Sequence, residues 1–276
     1  MTDSPAVTRH YASDGIADRL IAALRAHAGA DVTIDPDALA PLDHFHGRGL
    51  VATKELVAIL DPRAGEEILD IGCGIGGPAR WIAAHYACRV TGIDLTPAFC
   101  DAATALTTAT GLSDRVTIRC GSATDLPFAD GVFDRAYSQN VIMNIADKAA
   151  FYGEAFRVLK PGGILALSNI VAGPGGPPVF PVPWAAGPET SFLVTADETK
   201  AQITAAGFEI VSFRETWAEV VTQQAAFRRR LETEGFPPLG VHILIGERMR
   251  EYQLNSIRGM EERRAEPIEV LARRPA

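Results

Sequence analysis

The sequence has little cysteine, few aromatic residues and no excess of positive charge. Only four cysteines occur in 276 residues, and aromatic residues make up 7%. Cys73, Cys88, Cys100 and Cys120 form no CxxC pair, and their spacings fit no zinc pattern. We therefore expect no metal site, and reduced thiols in a cytoplasmic protein. The formal net charge of −8 and sequence pI of about 5.3 argue against a general nucleic-acid or anionic-membrane surface. No apolar run approaches the ~18–20 residues of a membrane span, so no membrane partner is expected. Residues 1–15 lack the basic-then-apolar layout of a signal peptide. No internal repeat or low-complexity tract is found. The composition is that of a globular chain, 47% hydrophobic and 22% charged, which excludes a disordered, collagen-like or coiled-coil protein.

Hydrophobic periodicity orders the chain. Ile16, Leu20 and Leu24 at helical spacing predict an amphipathic helix over 14–28. Residues 34–49 carry prolines and histidines and are read as a link; a second helix follows over 50–60, stopped by Asp61-Pro62. Short apolar runs at 66–72, 89–95, 115–121, 132–140 and 164–171 predict strands. Helical segments at 76–87, 96–112 and 147–161 alternate with them, as in parallel βαβ units. A Pro/Gly-rich loop spans 172–188. A helix over 195–208 opens on the capping box Thr195-x-x-Glu198. A strand over 209–217, a polar helical stretch over 218–262 and a last strand over 267–274 complete the chain.

The sharpest signal is the segment Asp70-Ile-Gly72-Cys-Gly74-Ile-Gly76-Gly77, where a strand runs through a glycine turn into a helix. Glycines let the backbone bend tightly and let a ligand approach it. Gly72, Gly74 and Gly77 satisfy the dinucleotide spacing, which alone is weak. Asp70 discriminates: a carboxylate at the mouth of the turn repels a pyrophosphate and attracts a ligand bearing an ammonium group. S-adenosylmethionine carries an ammonium and a sulfonium and no phosphate. Asp94, at the end of the next strand, suits the two ribose hydroxyls of either cofactor.

The ordered set ILDIGCGIGG, GIDLTPAF, CGSATDLPFADGVFDRAYS and FRVLKPGGILALSN resembles the class I S-adenosylmethionine-dependent methyltransferases over about residues 60–216. The resemblance implies that Asp70 and the backbone at Gly72 and Gly74 meet the methionine part, with Gln139 also on the cofactor. It implies that Asp94 holds the ribose, Leu95 packs on the adenine, and Ala123 offers its backbone N–H to it. Ser122 stands where the family usually has Asp, which leaves the adenine amino group to the Ser hydroxyl, Asp125 or water. At the N-terminus, His10-Tyr11-Ala-Ser-Asp14-Gly15 and Phe45-His46-Gly47-Arg48-Gly49 resemble the phosphoethanolamine and sarcosine/dimethylglycine N-methyltransferases. That resemblance makes Tyr11 a latch over the closed site, and His46 and Arg48 contacts of the cofactor carboxylate. The family's catalytic Asp and His are replaced by Asn140 and Asn144, which orient a substrate but take no proton at neutral pH. Phosphoethanolamine itself is therefore a poor acceptor here.

A base, if the acceptor needs one, would come from Tyr11, His44 or His46. Trp184, in the loop beyond a strand's C-terminal edge, is a candidate substrate contact beside Asn140 and Asn144. The expected fold is a Rossmann-like, doubly wound α/β domain. Its sheet has seven strands, mostly parallel, with the last antiparallel. We expect a helical lid at 1–60, the cofactor core at 61–217, a helical cap at 218–265 and the last core strand at 266–276. The expected reaction is methyl transfer from S-adenosylmethionine to a small molecule, with nitrogen favoured over oxygen, carbon or sulfur, and a homodimer is possible. The alternatives are attack at another sulfonium carbon with release of methylthioadenosine, an NAD-type oxidoreductase, and a non-enzymatic S-adenosylmethionine-binding protein.

Overall fold

A computed structural model describes residues 15–44, 46–246 and 248–276. Seven strands form one sheet: β1 (Glu67–Ile71), β2 (Arg89–Asp94), β3 (Val116–Cys120), β4 (Phe133–Gln139), β5 (Leu159–Ala172), β6 (Glu209–Glu215) and β7 (Ala265–Arg273). Their spatial order is β3-β2-β1-β4-β5-β7-β6. The first five pair in parallel, and β7 runs antiparallel to both neighbours. The strand order reverses between β1 and β4, and an open α/β sheet binds ligands at the C-terminal edge of such a switch point. No helix among the described residues is long and apolar enough to cross a membrane.

Strand side chains alternate between the two faces, and the core divides accordingly. Leu69, Ala136 and Leu165 belong to the apolar layer on one face, under α6 (Lys148–Val158) and α7 (Ala196–Ala205). Ile68, Tyr137 and Ala166 belong to the other, under α3 (Leu50–Leu60) and α4 (Gly77–Tyr86). A third layer joins α1 (Ile16–Ala28), α2 (Pro36–Asp43) and α5 (Pro97–Ala109) through Leu20, Leu42 and Leu106. Three helices separate β6 from β7: α8 (Trp217–Thr233), α9 (His242–Ile245) and α10 (Arg248–Glu261).

Two expectations need correction. Residues 36–43 are helical rather than a link: Asp35 caps the helix by accepting from the Ala38 N–H at 2.8 Å, and Pro36 starts it. The third central helix ends at Val158, because Leu159 already pairs with Phe133 and Gly162 takes φ +77°. Pro161-Gly162-Gly163 therefore forms the irregular entry to β5.

Candidate functional site: two adjoining cavities at the sheet edge

The first cavity lies at the C-terminal ends of β1, β2, β3 and β4, with about 1160 Å³ of space including its open mouth. The glycine turn after β1 makes its floor. Gly72 has φ +82°, and a Cβ there would lie 2.3 Å from a Val141 methyl. A Cβ at Gly77 would lie 2.3 Å from the Asp43 carbonyl oxygen. These positions admit only glycine because α2 and the β4 loop close directly on the turn.

Four aspartates line this cavity, Asp43, Asp70, Asp94 and Asp147, with no lysine or arginine among the described lining residues. Asp70 sits beside Tyr137 on the neighbouring strand, whose hydroxyl donates to Asp70 Oδ2 at 2.7 Å. Burial pushes the Asp70 carboxyl up to about 7, the Tyr137 hydrogen bond opposes this, and the nearby Asp94 charge adds to it. Asp94 Oδ2 accepts from the Gly74 N–H and Oδ1 from the Thr96 N–H, each at 2.9 Å. Its carboxyl is also raised, mainly by burial. Each oxygen keeps a second acceptor site. Behind the floor, the fully buried Arg80 donates to Asp43 Oδ2 and to the Ile75 carbonyl at 2.9 and 2.8 Å. Burial pushes the Asp43 carboxyl up, but its hydrogen bond with His44 and the Arg80 charge leave it lowered overall.

A second cavity of about 930 Å³, again counting its mouth, adjoins the first. His46 and Asn140 line both. Its walls come from α8, α10, β5 and the loop at 183–184, and include Val220, Met249, Met260, Asn169 and Trp184. The Trp184 indole N–H donates to Ser191 Oγ at 3.0 Å. The Asn144 amide donates to the carbonyls of Trp184 and Thr190, both at 2.7 Å, and so holds this loop against the first cavity.

Residues 69–167 match the family model described as a methyltransferase domain. Over 137 residues the chain is 36% identical to a protein of Streptomyces halstedii named methyltransferase GfsG, covering 50% of this chain and 48% of that one. It is 38% identical over 129 residues to phosphoethanolamine N-methyltransferase of Triticum aestivum, covering 47% and 25%. The matched part thus spans about half the length of these relatives or less. Among solved structures, the [4+2]-cyclase SpnF aligns with a TM-score of 0.67 at 23% identity over 99% of this chain and 98% of that one, a likeness of fold.

Residues 69–167 carry a methyltransferase domain.

S-adenosylmethionine is the cofactor of this domain, and the first cavity fits it. Carboxylates without lysine or arginine suit its ammonium and sulfonium groups, and Asp94 retains acceptor sites for two ribose hydroxyls. The buried Gln139 lines the same cavity, and its Nε2 has no partner in the structure. A polar atom left so is costly unless a ligand or water satisfies it. The structure gathers Asp70, Gly72, Gly74, Asp94, Leu95, Ser122, Ala123, Gln139, Asn140, Asn144 and His46 around this cavity.

Other predicted residues lie elsewhere. Arg48 lines only the second cavity, and its guanidinium is paired with Glu55 and bonded to Gln223. The structure therefore does not bring Arg48 to the cofactor cavity. His44 lines neither cavity; its ring is buried against Asp43 at 2.9 Å, with Nε2 unpartnered. The Ser122 hydroxyl is engaged in its own turn with Thr124, at 2.8 Å to the Thr124 hydroxyl and 3.1 Å to its N–H. Asp125 is exposed and outside the cavity. Tyr11 lies outside the described residues.

Sequence reasoning missed the support behind these groups. Tyr137 could have been found as the in-register neighbour of Asp70, but only once the β1–β4 pairing was known. Thr53 links His46 and Gln139, with contacts of 3.1 and 3.3 Å. Burial, followed by the nearby His44, pushes the His46 imidazole down to about 3. The ring at the junction of the cavities is therefore neutral at physiological pH.

Proposed function

We propose that this chain transfers a methyl group from S-adenosylmethionine to a small-molecule acceptor held in the second cavity, with nitrogen the acceptor atom that the family resemblance favours. The single observation that carries this reading is that the acidic cofactor cavity opens beside a second cavity, with His46 and Asn140 common to both. When bound, the cofactor supplies an activated methyl group on a sulfonium. The chain's own residues then act by position. Asp70 and Asp94 hold the charged and ribose ends. Asn140, with φ +56° at the end of β4, and the neutral His46 form the junction through which the methyl group passes. A lid at 1–60 and a cap at 218–265 would exclude water from that junction. The cap is supported by Val220, Met249 and Met260 in the wall of the second cavity. Neither His46 nor the two asparagines is suited to take a proton at neutral pH, so the acceptor enters already able to attack. Tyr11 is the proposed latch on the resemblance alone, and Tyr11→Phe should lower turnover far more than cofactor affinity.

The test is product analysis by mass spectrometry with methyl-labelled S-adenosylmethionine and a small-molecule cell extract. We expect S-adenosylhomocysteine and a labelled metabolite, formed only with extract. Methylthioadenosine formed without extract would overturn methyl transfer and leave the cofactor assignment standing.

A further inference from the structure

The two cavities differ in charge, and the difference bears on the acceptor. Among the described residues, the second cavity's wall contains no aspartate, glutamate or lysine. Its one arginine, Arg48, is neutralised: Nη1 and Nη2 of the guanidinium both meet the Glu55 carboxylate, and Nη1 also donates to Gln223 Oε1. The remaining wall is built from aliphatic, thioether and indole side chains, such as Ile170, Val220, Met249, Met260 and Trp184, together with neutral amides and hydroxyls. An ionised group buried in such a place without a partner costs several kcal/mol. Among the described lining residues a phosphate would find no free cation, and an ammonium no carboxylate. The wall does offer neutral acceptors. Asn169 is buried, and its Oδ1 has no partner; the Gln224 Oε1 is likewise unpartnered. Both are carbonyl oxygens that accept from a ligand hydroxyl or N–H.

We infer that the second cavity takes an uncharged, largely apolar acceptor, and not a phosphorylated or zwitterionic one. This rests on the methyl-transfer reading above, since it assigns the cavity to the acceptor. It also separates the chain from the phosphoethanolamine enzymes that it matches in sequence.

Nile red, a neutral apolar dye, serves as the probe, and full-length protein saturated with S-adenosylhomocysteine serves as the receptor. Saturable dye binding is expected, undisturbed by millimolar phosphoethanolamine or sarcosine. Asn169→Asp places a charge in the wall and should weaken the dye about tenfold, the scale of a poorly solvated charge. Met249→Lys should do the same from α10. Calorimetric affinity for S-adenosylhomocysteine should hold in both variants, which also reports that they fold. The inference is overturned if phosphoethanolamine or sarcosine displaces the dye. It is also overturned if the dye fails to bind while S-adenosylhomocysteine binds, or if folded variants bind the dye as tightly as the parent. If both variants misfold, displacement on the parent protein decides. Failure of S-adenosylhomocysteine to bind the parent protein would instead overturn the cofactor assignment.

Discussion

The cofactor cavity and the second cavity share two residues yet are built by opposite means. The first is lined by four aspartates whose charges are managed by hydrogen bonds, a tyrosine and a buried arginine behind the floor. Among the described residues, the second is lined by apolar side chains and neutral amides, with Arg48 paired to Glu55. A charged pocket must be held rigidly, since every carboxylate taken from water needs a partner. A neutral pocket is held by packing and tolerates change in shape more readily. The charged side suits an invariant cationic ligand; the neutral side is where acceptor specificity can vary.

The largest effect should come from breaking the charge support of the first cavity. Arg80→Met leaves Asp43 buried without its cation and frees the Ile75 carbonyl, which should cost about 3–5 kcal/mol of stability. Denaturant unfolding measures it, and a loss below 1 kcal/mol would mean that Asp43 is neutral or solvated. Next is Asp94→Ala, which removes the acceptor for the Gly74 and Thr96 N–H groups and, on the proposed reading, for the ribose. Cofactor affinity should fall by about 2–3 kcal/mol, as for hydrogen bonds to a charged group. Nile red binding in the second cavity should be unchanged, so a parallel loss of both would erase the distinction between the cavities.

The comparison is sharpened by pH. In the free protein the Asp70 carboxyl titrates at about 7, well above its ordinary value. A cationic ligand prefers the ionised form, so binding releases a proton from Asp70 below that pH. Cofactor affinity should therefore be full at pH 8 and about tenfold weaker at pH 6. The same raised value makes the free fold lose stability as pH climbs from about 4 to 7, because the unfolded chain ionises this group more readily. Asp70→Asn should flatten the affinity profile. Among the described residues the second cavity's wall has no aspartate, glutamate or lysine, so dye binding should stay level from pH 6 to 8. A matching slope there would contradict its neutrality.

The cavities also differ in how legible they were in the sequence. The cofactor side is assembled from short contiguous stretches, 70–74, 94–96, 121–124 and 139–141, each the turn at the end of a parallel strand. Glycines and an aspartate at fixed offsets mark such turns, so that cavity and the βαβ order could both be anticipated. The second cavity joins the short stretches 46–48, 168–170 and 183–184 to residues spaced along helices, such as Val220, Gln224, Met249, Gln253 and Met260, which only the antiparallel return of β7 and the helices before it bring together. No local pattern records that. Arg48 shows the limit: its residue type suited a carboxylate, but Glu55, two helical turns along the same segment, claims it. Helix α2 was legible in the Asp35-Pro36 start, but Pro41 inside it looked like a loop signal.

Asn144 offers the smallest and most selective test. It lines the cofactor cavity, but both of its amide hydrogen bonds go outward, to the Trp184 and Thr190 carbonyls that carry the wall of the neighbouring cavity. If it serves the loop, Asn144→Ala should lower thermal stability by about 1 kcal/mol, the scale of a lost hydrogen bond to the backbone. Dye affinity should fall with it, because Trp184 loses its tether. S-adenosylhomocysteine affinity should move by less than about threefold, under 1 kcal/mol. If cofactor affinity instead falls while dye binding holds, Asn144 belongs to the charged cavity. In that case the boundary between the two regions runs through the 183–190 loop rather than through His46 and Asn140.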